Sequence, residues 1–438
     1  MKIGIVGAGW AGLAAAVAAT LDGHHVTVYE ASRTVGGRAR ALSVTLPDGK
    51  PALLDNGQHI LIGAYRETLR LLQAVGVNPG DALVRMPLTL QFAQGGGIRF
   101  PRCPAPLDAL LGIVFCKGWG LADKIALLQR AVHWRWTGFR CPADLSVANL
   151  CAGLTLRVMR DLVEPLCVSA LNTPPGRASG QVFLRVMQDA VLGASGDSNL
   201  LLPRCDLSAL FPDAAVRWLT QHGAQVQLGA RVHTLARESG GWSVLGTRHD
   251  RLILATAAPD AARILTDSVP LLDGATAQRI LPWSGLAHAL QHEPIATVYA
   301  WGPGVTLACP MLALRSGAGA GCAGGSAPAQ FVFDRGQLGG PAGLLAFVVS
   351  ASSGDRATLQ SQVMAQARLQ LGLDLLPVQT VVEKRATFAC TPGLQRPPTQ
   401  IAAGLLACGD YVDGPYPSTL EGAVRSGLAA IRSSDFAS

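Results

Sequence analysis

A glycine-rich segment close to the amino terminus constrains the fold of this chain more than any other feature. Gly7, Gly9 and Gly12 follow a strand-like run over residues 2–6, and a second β-rich run ends at Glu30. A strand, a glycine-rich turn, a helix, a second strand and an acidic residue, in that order, are typical of a dinucleotide-binding βαβ unit. The pattern therefore predicts a domain that binds a dinucleotide cofactor.

The residue type at each key position of this unit has a physical explanation. Gly7 permits a tight turn, Gly9 lets the backbone approach a pyrophosphate, and Gly12 lets the following helix pack close to the strand. The helix over 11–21 points its free N–H groups towards the phosphates, and Glu30 can accept hydrogen bonds from an adenosine ribose. The predicted cofactor contacts in this unit are Gly7, Gly9, Trp10, Ala11, Gly12 and Glu30.

The same segment has an alternative interpretation. Residues 3–21 are uncharged and mostly apolar, and their length alone is compatible with a membrane helix or a signal peptide. The glycines within this run, and the β-rich run that follows it, favour the nucleotide-binding unit instead.

Three further segments favour FAD over NAD, and the first is basic. Residues 33–40 place two glycines between arginines. Such a backbone can lie against phosphate and flavin while the guanidinium groups bind anionic oxygens. An exposed basic turn is the alternative. The predicted contacts here are Arg33, Gly36, Gly37 and Arg38.

The second segment lies near the carboxyl terminus, where a strand-like run over 405–408 is followed by a Gly-Asp pair. Ser418 and Glu421 have the spacing of a capping box, which predicts that a helix begins there. The first amides of that helix can face the flavin edge where negative charge collects on reduction. Asp410 is expected to hydrogen-bond the ribityl or pyrophosphate region, or alternatively to lie in a simple turn. The predicted contacts are Gly409, Asp410, Ser418, Thr419 and Leu420.

The third segment supplies strands to the nucleotide domain. Residues 223–233 are predicted to form two short strands, and residues 250–259 a strand that returns to the nucleotide domain. Val232 is expected to present backbone groups to adenine.

Together these motifs resemble the flavin amine-oxidase and phytoene-desaturase superfamily over nearly the whole chain. Within that superfamily, residues 55–65 resemble a signature of the hydroxysqualene dehydroxylases. Residues 170–174, 383–388 and 417–423 are also similar to that family.

The resemblance implies an FAD-dependent enzyme that removes the hydroxyl group of hydroxysqualene, a C30 isoprenoid allylic alcohol, and leaves squalene. It places the reaction in squalene and hopanoid biosynthesis. Reduced FAD would supply the hydride, and an electron donor that the sequence does not identify would reduce the FAD. The alternatives are a carotenoid or polyprenyl desaturase, an amine oxidase, and a non-catalytic flavoprotein that binds a lipid.

The length of the chain predicts more than one domain, because its 438 residues exceed the roughly 250–300 at which a single core stops growing. A content of 49% hydrophobic and 15% charged residues excludes a disordered chain and a coiled coil. We expect an α/β fold in which a Rossmann-like FAD-binding domain is interleaved with an α+β substrate-binding domain, as in amine oxidases. The FAD-binding domain is assigned to residues 1–85, 200–265 and 380–438, and the substrate-binding domain to residues 86–199 and 266–379.

Loss of an allylic hydroxyl group needs a proton donor for the leaving oxygen. His59 lies, with Gly57 and Gln58, in the segment that should pass beside the flavin, and a histidine titrates near neutral pH. The alternative is a structural histidine that fixes its own loop. Asp55 can transfer a proton, or alternatively accept hydrogen bonds from the backbone.

Two basic residues and one amide are further candidates for this chemistry. Lys384 and Arg385 can approach the flavin or the leaving oxygen, or alternatively lie at a solvated strand end. Asn172 can orient a hydroxyl group, or alternatively cap a turn.

Residues 104–140 mix apolar side chains with tryptophan and basic residues, a pattern typical of a membrane interface. Ordinary helices of the substrate domain are the alternative. A net charge of +7 fits an anionic membrane or a phosphate-bearing ligand. Because the basic residues are dispersed, we expect no nucleic-acid partner.

The ten cysteines are scattered and form no Cys-x-x-Cys pair, which indicates reduced, mostly buried thiols and no metal site. We therefore expect a cytoplasmic protein that contacts the inner membrane peripherally.

Overall fold

The computed structural model describes residues 1–191, 193–238, 240–318 and 326–433. Its first large element is a six-stranded sheet, here called the nucleotide sheet. Five neighbouring strands run parallel, and an edge strand pairs antiparallel to them. In order across the sheet, the strands are Gln225–Leu228, His25–Glu30, Lys2–Val6, Arg251–Leu254, Leu405–Ala407 and Gln400–Ala402.

The middle of the nucleotide sheet is buried on both faces, and its strands are therefore almost continuously apolar. The helix Trp10–Leu21 connects the first two strands, and it packs against the last helix of the chain, Leu420–Arg432. This parallel sheet, with helices that connect and cover its strands, confirms the α/β prediction.

A second sheet of five antiparallel strands lies beside the cavity described below. In order across it, the strands are Met311–Ala313, Phe331–Asp334, Leu344–Ser350, His292–Trp301 and Leu376–Phe388. Successive side chains of a strand point to opposite faces, and the two faces of this sheet have different neighbours. The helix Arg356–Leu371 packs on one face, where Leu359 and Val363 meet Val332 and Phe347. The other face is turned towards the nucleotide sheet and lines the cavity.

Smaller elements complete the fold. The remaining strands are Ala41–Thr45, Pro51–Asp55, Leu61–Ile62, Leu83–Met86, Thr89–Gln91, Gly97–Arg99, Leu200–Pro203, Ala236–Glu238, Gly241–Val244, Thr247–His249, Gly317–Ala318 and Ser326–Ala327. The remaining α-helices are Arg66–Ala74, Pro79–Ala82, Leu107–Val114, Leu121–Trp136, Val147–Leu150, Leu156–Val158, Glu164–Leu171, Gly180–Val186, Leu207–Leu210, Pro212–Gln221, Ala258–Ser268 and Gly274–His288.

The prediction of two strands over residues 223–233 is half wrong. Residues 225–228 form a strand, but the chain then leaves the sheet and residues 230–235 are irregular. The amide of Ala230 still donates to the carbonyl of Glu30, but Gly229 has φ +70°, a left-handed conformation that ends the strand. Val232 is consequently buried beside the cavity rather than paired in a strand.

The strands of the nucleotide sheet all come from the three segments assigned to the FAD-binding domain. The predicted boundaries after residues 85 and 379, however, each fall inside a strand. Leu83–Met86 pairs with Leu200–Pro203, and Leu376–Phe388 pairs with His292–Trp301 along most of its length. Because backbone pairing continues through residue 388, the second sheet extends further than predicted, and the division into domains otherwise stays a prediction.

Within the described residues, no helix has both the length and the apolar character needed to cross a bilayer. The nine cysteines of the described ranges are all unbridged, and five of them are buried. The tenth, Cys322, lies outside those ranges.

Candidate active site

A cavity of about 520 Å³ lies between the nucleotide sheet and the second sheet. One wall consists of the glycine-rich turn, the basic segment after Glu30 and the start of the last helix. The opposite wall is mostly apolar and comes from the second sheet. Its apolar side chains are Ile295, Phe331, Phe333, Val348 and Val381.

The glycine-rich turn has the geometry that its sequence predicts. Gly7 has φ +113°, and a Cβ atom there would lie 2.7 Å from the carbonyl oxygen of Ala255, so only glycine fits. A Cβ atom on Gly12 would lie 2.0 Å from the oxygen of Gly7, which explains the close packing of the helix. At Gly9 a Cβ atom would meet no described atom within 4 Å, so there is room for a phosphate at this helix N-terminus.

Glu30 lies at the cavity edge with both carboxylate oxygens oriented by backbone amides. One oxygen accepts from the amide of Ala8 at 2.7 Å, and the other accepts from the amide of Ser32 at 2.8 Å. A carboxylate offers about four lone-pair sites, so both oxygens keep capacity for ribose hydroxyl groups.

Arg38 connects three distant segments at the centre of the cavity wall. One guanidinium nitrogen donates to the Asp410 carboxylate at 2.5 Å. The other donates to the carbonyl oxygens of Ala386 at 2.6 Å and Arg385 at 3.2 Å. Asp410 is nearly buried, so this pair fixes the loop after Leu405–Ala407 against the basic segment.

The last helix begins one residue later than predicted. Thr419, not Ser418, is the N-cap, and its hydroxyl oxygen accepts from the amide of Gly422 at 2.9 Å. The predicted capping box is wrong because Glu421 is fully buried and turned towards another helix. There it accepts from the amide and the hydroxyl group of Thr68, at 2.9 and 2.7 Å.

Most predicted cofactor contacts line the cavity. These are Gly7, Gly9, Trp10, Ala11, Glu30, Gly36, Gly37, Arg38, Gly57, Gln58, His59, Val232, Gly409, Asp410, Ser418, Thr419 and Leu420. Gly12 lies behind the wall in the helix packing described above. Arg33 is exposed at a bend of the loop and lies outside the cavity lining, so its position does not support a cofactor contact and fits the alternative of an exposed basic turn.

The segment from Asn56 to His59 crosses the cavity between its two walls. The side-chain amide nitrogen of Asn56 donates to the backbone carbonyl of Arg38 at 2.9 Å and to the Glu383 carboxylate at 3.2 Å. Gln58 accepts a hydrogen bond from the buried Arg335 at 3.3 Å. These contacts attach the segment to the basic loop and to the second sheet.

His59 lines the cavity, as predicted, and its protonation is set by its surroundings. Its Nδ1 lies 2.8 Å from the carbonyl oxygen of Gly57, and because a carbonyl only accepts, Nδ1 carries a hydrogen. Burial and the charge of Arg38 lower the pKa of His59, although the bond to Gly57 opposes this effect. The ring is therefore neutral at neutral pH, and its Nε2 is the nitrogen that can take up a proton.

Asp55 does not face the cavity, so its predicted catalytic role is not supported by its position. It is 2% exposed, accepts from the amide of Leu207 at 2.8 Å, and lies 3.8 Å from Arg335. Burial raises the pKa of Asp55 to about 6, and the charge of Arg335 only partly offsets this. The alternative interpretation, a carboxylate that accepts backbone hydrogen bonds, fits this geometry.

The positions of Lys384 and Arg385 do not support an approach to the flavin and fit the alternative of a solvated strand segment. Both side chains are exposed and lie outside the cavity lining. The cause is a bulge: Glu383 pairs with Ile295 and Thr387 pairs with Glu293, so three residues on one strand oppose a single residue on the other. The bulge turns Lys384 and Arg385 outwards.

Asn172 ends the helix Glu164–Leu171 in the left-handed conformation, with φ +47°. Its amide nitrogen donates to the Thr387 hydroxyl at 2.9 Å, and its amide oxygen accepts from the amide of Ala351 at 2.6 Å. Asn172 also lines the cavity, and these two hydrogen bonds fit the alternative interpretation of a residue that caps a turn.

Several cavity residues were not predicted. Glu383 and Asn56 stand inside segments that the sequence singled out, but only the bulge and the pairing of the second sheet show that they face the cavity. The apolar wall comes from four strands spread over residues 292–388, and the sequence of a short apolar strand does not show which other strands will share its face.

The arrangement fits FAD. A phosphate has room at Gly9 beside the free amides of a helix N-terminus, and Glu30 is placed for a ribose. The second helix N-terminus, at Thr419, also lines the cavity, and its positive end favours an anionic ring edge.

Known proteins resemble this chain in sequence and in fold. The model of the family described as flavin containing amine oxidoreductase matches residues 10–287. The hydroxysqualene dehydroxylase of Sinorhizobium fredii is 28% identical over 98% of this chain and 97% of its own length. That of Rhodopseudomonas palustris is 27% identical over 97% of this chain and 96% of its own.

A solved structure shows the same fold. An oxidoreductase from Methanosarcina mazei superimposes with a TM-score of 0.71 at 16% identity, over 99% of this chain and 100% of that one. The predicted two-domain fold class is thereby confirmed, and the sequence likeness confirms the predicted resemblance over nearly the whole chain.

Proposed function

This chain belongs to the flavin-containing amine oxidoreductase family, and from that premise we propose that it removes the hydroxyl group of hydroxysqualene to give squalene. As a member of this family it is an FAD-dependent oxidoreductase, so the predicted enzyme class and cofactor are confirmed. The substrate and the direction of the reaction are the proposal.

The apolar wall of the cavity is the observation that carries this proposal. Five aliphatic and aromatic side chains of the second sheet face the cofactor motifs across the cavity. Such a wall suits a hydrocarbon and excludes water. The full-length likeness to hydroxysqualene dehydroxylases supports this substrate over a shorter or more polar alcohol.

The reaction exchanges a carbon–oxygen bond for a carbon–hydrogen bond. FAD, when bound and reduced, supplies the hydride for the allylic carbon. The hydroxyl group takes up a proton and leaves as water, and a separate reductant must return two electrons to the enzyme. The residues of this chain therefore have to hold the alcohol, provide the proton and stabilise positive charge at the allylic carbon.

We assign the proton to His59, which lines the cavity. Burial lowers the pKa of this histidine, so its protonated form is a stronger acid than an ordinary imidazolium. Its contact with the Gly57 carbonyl holds Nδ1, so the proton is taken up and released at Nε2.

We assign charge stabilisation to Glu383. Its carboxyl group lines the cavity next to the apolar wall, where low polarity strengthens its attraction for a cation-like carbon. Asn56 and the amide of Arg385 each donate to one of its oxygens at 3.2 Å. Asn56 is therefore a positioning residue.

The remaining parts of the proposal concern the setting of the enzyme. A C30 alcohol partitions into lipid, so we place the protein in the cytoplasm with peripheral contact at an anionic membrane. A separate electron donor must reduce the FAD, and dithionite can take its place in a test. Squalene produced in this way would enter hopanoid biosynthesis.

The direction of the reaction separates this proposal from the alternatives. FAD-loaded protein reduced by dithionite should convert hydroxysqualene to squalene, identified by gas chromatography and mass spectrometry. If oxidised protein instead desaturates squalene or a carotenoid precursor, or oxidises amines, the family assignment stands and the dehydroxylase proposal fails. If no lipid or amine reacts, the dehydroxylase proposal fails as well.

A further inference from the structure

The helix Leu107–Val114 exposes apolar side chains at helical spacing. Leu107, Leu110 and Val114 are 52%, 42% and 41% exposed, and Phe115 directly after the helix is 73% exposed. The opposite side of the same helix is buried against the protein. A surface helix normally turns polar residues outwards, so this helix has apolar residues on its solvent face as well.

The next helix, Leu121–Trp136, repeats this arrangement. Leu121, Ile125, Val132 and Trp136 stand on its outer side, and they range from 44% exposed at Ile125 to 90% exposed at Trp136. Lys124 donates to the carbonyl of Val114 at 2.6 Å, which joins the start of this helix to the end of the preceding one.

These exposed side chains are concentrated in one part of the sequence. Seventeen large hydrophobic residues are exposed in the described part of the chain, and nine of them lie between residues 107 and 156. We call the following set the apolar–basic surface: Leu107, Leu110, Val114, Phe115, Leu121, Ile125, Val132 and Trp136, with the exposed cations Arg102, Lys117 and Arg135.

Exposed charge on this part of the chain has one sign. Residues 99–140 contain two acidic residues, Asp108 and Asp123, and both are buried. Asp108 accepts from the Ser198 hydroxyl at 3.3 Å, and Asp123 accepts from the Thr155 hydroxyl at 2.6 Å. The exposed cations are therefore not matched by neighbouring exposed carboxylates within this segment.

We infer that the apolar–basic surface docks on an anionic lipid bilayer. Apolar side chains enter the acyl boundary while arginine, lysine and an exposed indole remain at headgroup depth. A second copy of the chain fits less well, because pairing this surface with itself would bring like charges together. The inference rests on the proposed function in one respect: bilayer docking would give the enzyme access to its hydrocarbon substrate.

Flotation of the FAD-loaded full chain with vesicles tests the inference without substrate. The protein should float with phosphatidylcholine vesicles that contain phosphatidylglycerol, float less with phosphatidylcholine alone, and dissociate as salt rises. Lys117→Gln with Arg135→Gln should weaken binding by about fivefold for each charge removed. Phe115→Glu and Leu110→Glu should weaken it further.

A matched control distinguishes this surface from others. Leu376 is 51% exposed on an edge strand of the second sheet, so Leu376→Glu should leave flotation unchanged. Quenching of tryptophan fluorescence by brominated lipid should be largely lost in Trp136→Phe. Retained FAD absorbance shows that each variant is folded.

The inference is overturned if the holoenzyme stays in the soluble fraction with both vesicle types, or if the surface variants float as well as Leu376→Glu. A concentration-dependent dimer that Leu110→Glu dissociates, without vesicle binding, also overturns it and identifies a second copy as the partner. With detergent-dispersed hydroxysqualene the surface variants should form squalene at the wild-type rate. Loss of squalene formation in all proteins, with vesicle binding intact, would contradict the proposed function alone.

Discussion

The guanidinium group of Arg38 lies 2.5 Å from the carboxylate of Asp410, although 372 positions of sequence separate the two residues. The contact joins the basic loop after the βαβ unit to the loop before the last helix. Because Arg38 also donates to the carbonyl of Ala386, one side chain holds three sides of the cofactor cavity in place.

Arg38→Met should weaken FAD retention and lower the free energy of unfolding by about 1–3 kcal/mol, since it leaves the nearly buried Asp410 carboxylate without its charged partner. Free FAD after ultrafiltration and chemical denaturation measure the two effects. Arg33→Met is the matched control, because Arg33 belongs to the same loop but is exposed outside the cavity. Equal FAD loss in both variants would contradict the assignment.

Glu383→Gln should lower kcat about 100-fold with FAD content unchanged, since a preorganised charge at the reacting carbon is removed. Lys384→Ala and Arg385→Ala, on the adjacent exposed residues, should leave kcat unchanged. Squalene formation under saturating substrate is the measurement. An unchanged kcat in Glu383→Gln would contradict the role assigned to Glu383. A large loss of kcat in Lys384→Ala would contradict the claim that the bulge turns Lys384 away from the cavity.

The pKa of His59 is lowered by burial, which fixes the sign of two pH effects. As the proton source, His59 should make kcat rise as pH falls towards and below about 6.5, and His59→Gln should remove that rise. Because the pKa is lower in the folded state, the unfolded state binds this proton at a higher pH than the folded state does. The contribution of His59 to the free energy of unfolding is therefore complete above about pH 6.5 and is lost as pH falls. A pH–rate profile that is identical in wild type and His59→Gln would exclude the assigned role.

Glu421 is fully buried and binds the backbone amides of Glu67 and Thr68 at the start of the helix Arg66–Ala74. Glu421→Ala should cost about 3 kcal/mol of unfolding free energy, because it leaves these donors and Arg425 unpaired. Thr68→Val, which removes one hydroxyl group, should cost about 1 kcal/mol. Urea denaturation followed by fluorescence measures both free energies of unfolding. An equal loss in the two variants would contradict the claim that the Glu421 carboxylate, and not the Thr68 hydroxyl group alone, stabilises this contact.

The βαβ unit was predictable because the residues that determine it lie close together in the sequence. Gly7, Gly9 and Gly12 lie within six residues, and the tight turn and close helix packing that they permit depend on neighbouring backbone. The pattern therefore identified the βαβ unit and most of the cofactor wall.

Contacts between segments that are distant in sequence were not predictable in the same way. Glu421 has the spacing of a capping box, yet tertiary packing turns it towards another helix. Glu383 and Lys384 are adjacent in sequence, and a bulge in pairing with a strand some 90 residues earlier decides which of them meets the cavity. Such contacts depend on partners that a local pattern does not contain.

An anaerobic single turnover tests the central claim most directly. Photoreduced, FAD-loaded protein is mixed with hydroxysqualene, and the visible absorption of oxidised flavin is followed while the lipid is extracted. The account predicts that the absorption returns and that squalene forms in an amount equal to the flavin reoxidised. Flavin that stays reduced, with hydroxysqualene recovered unchanged, would contradict it.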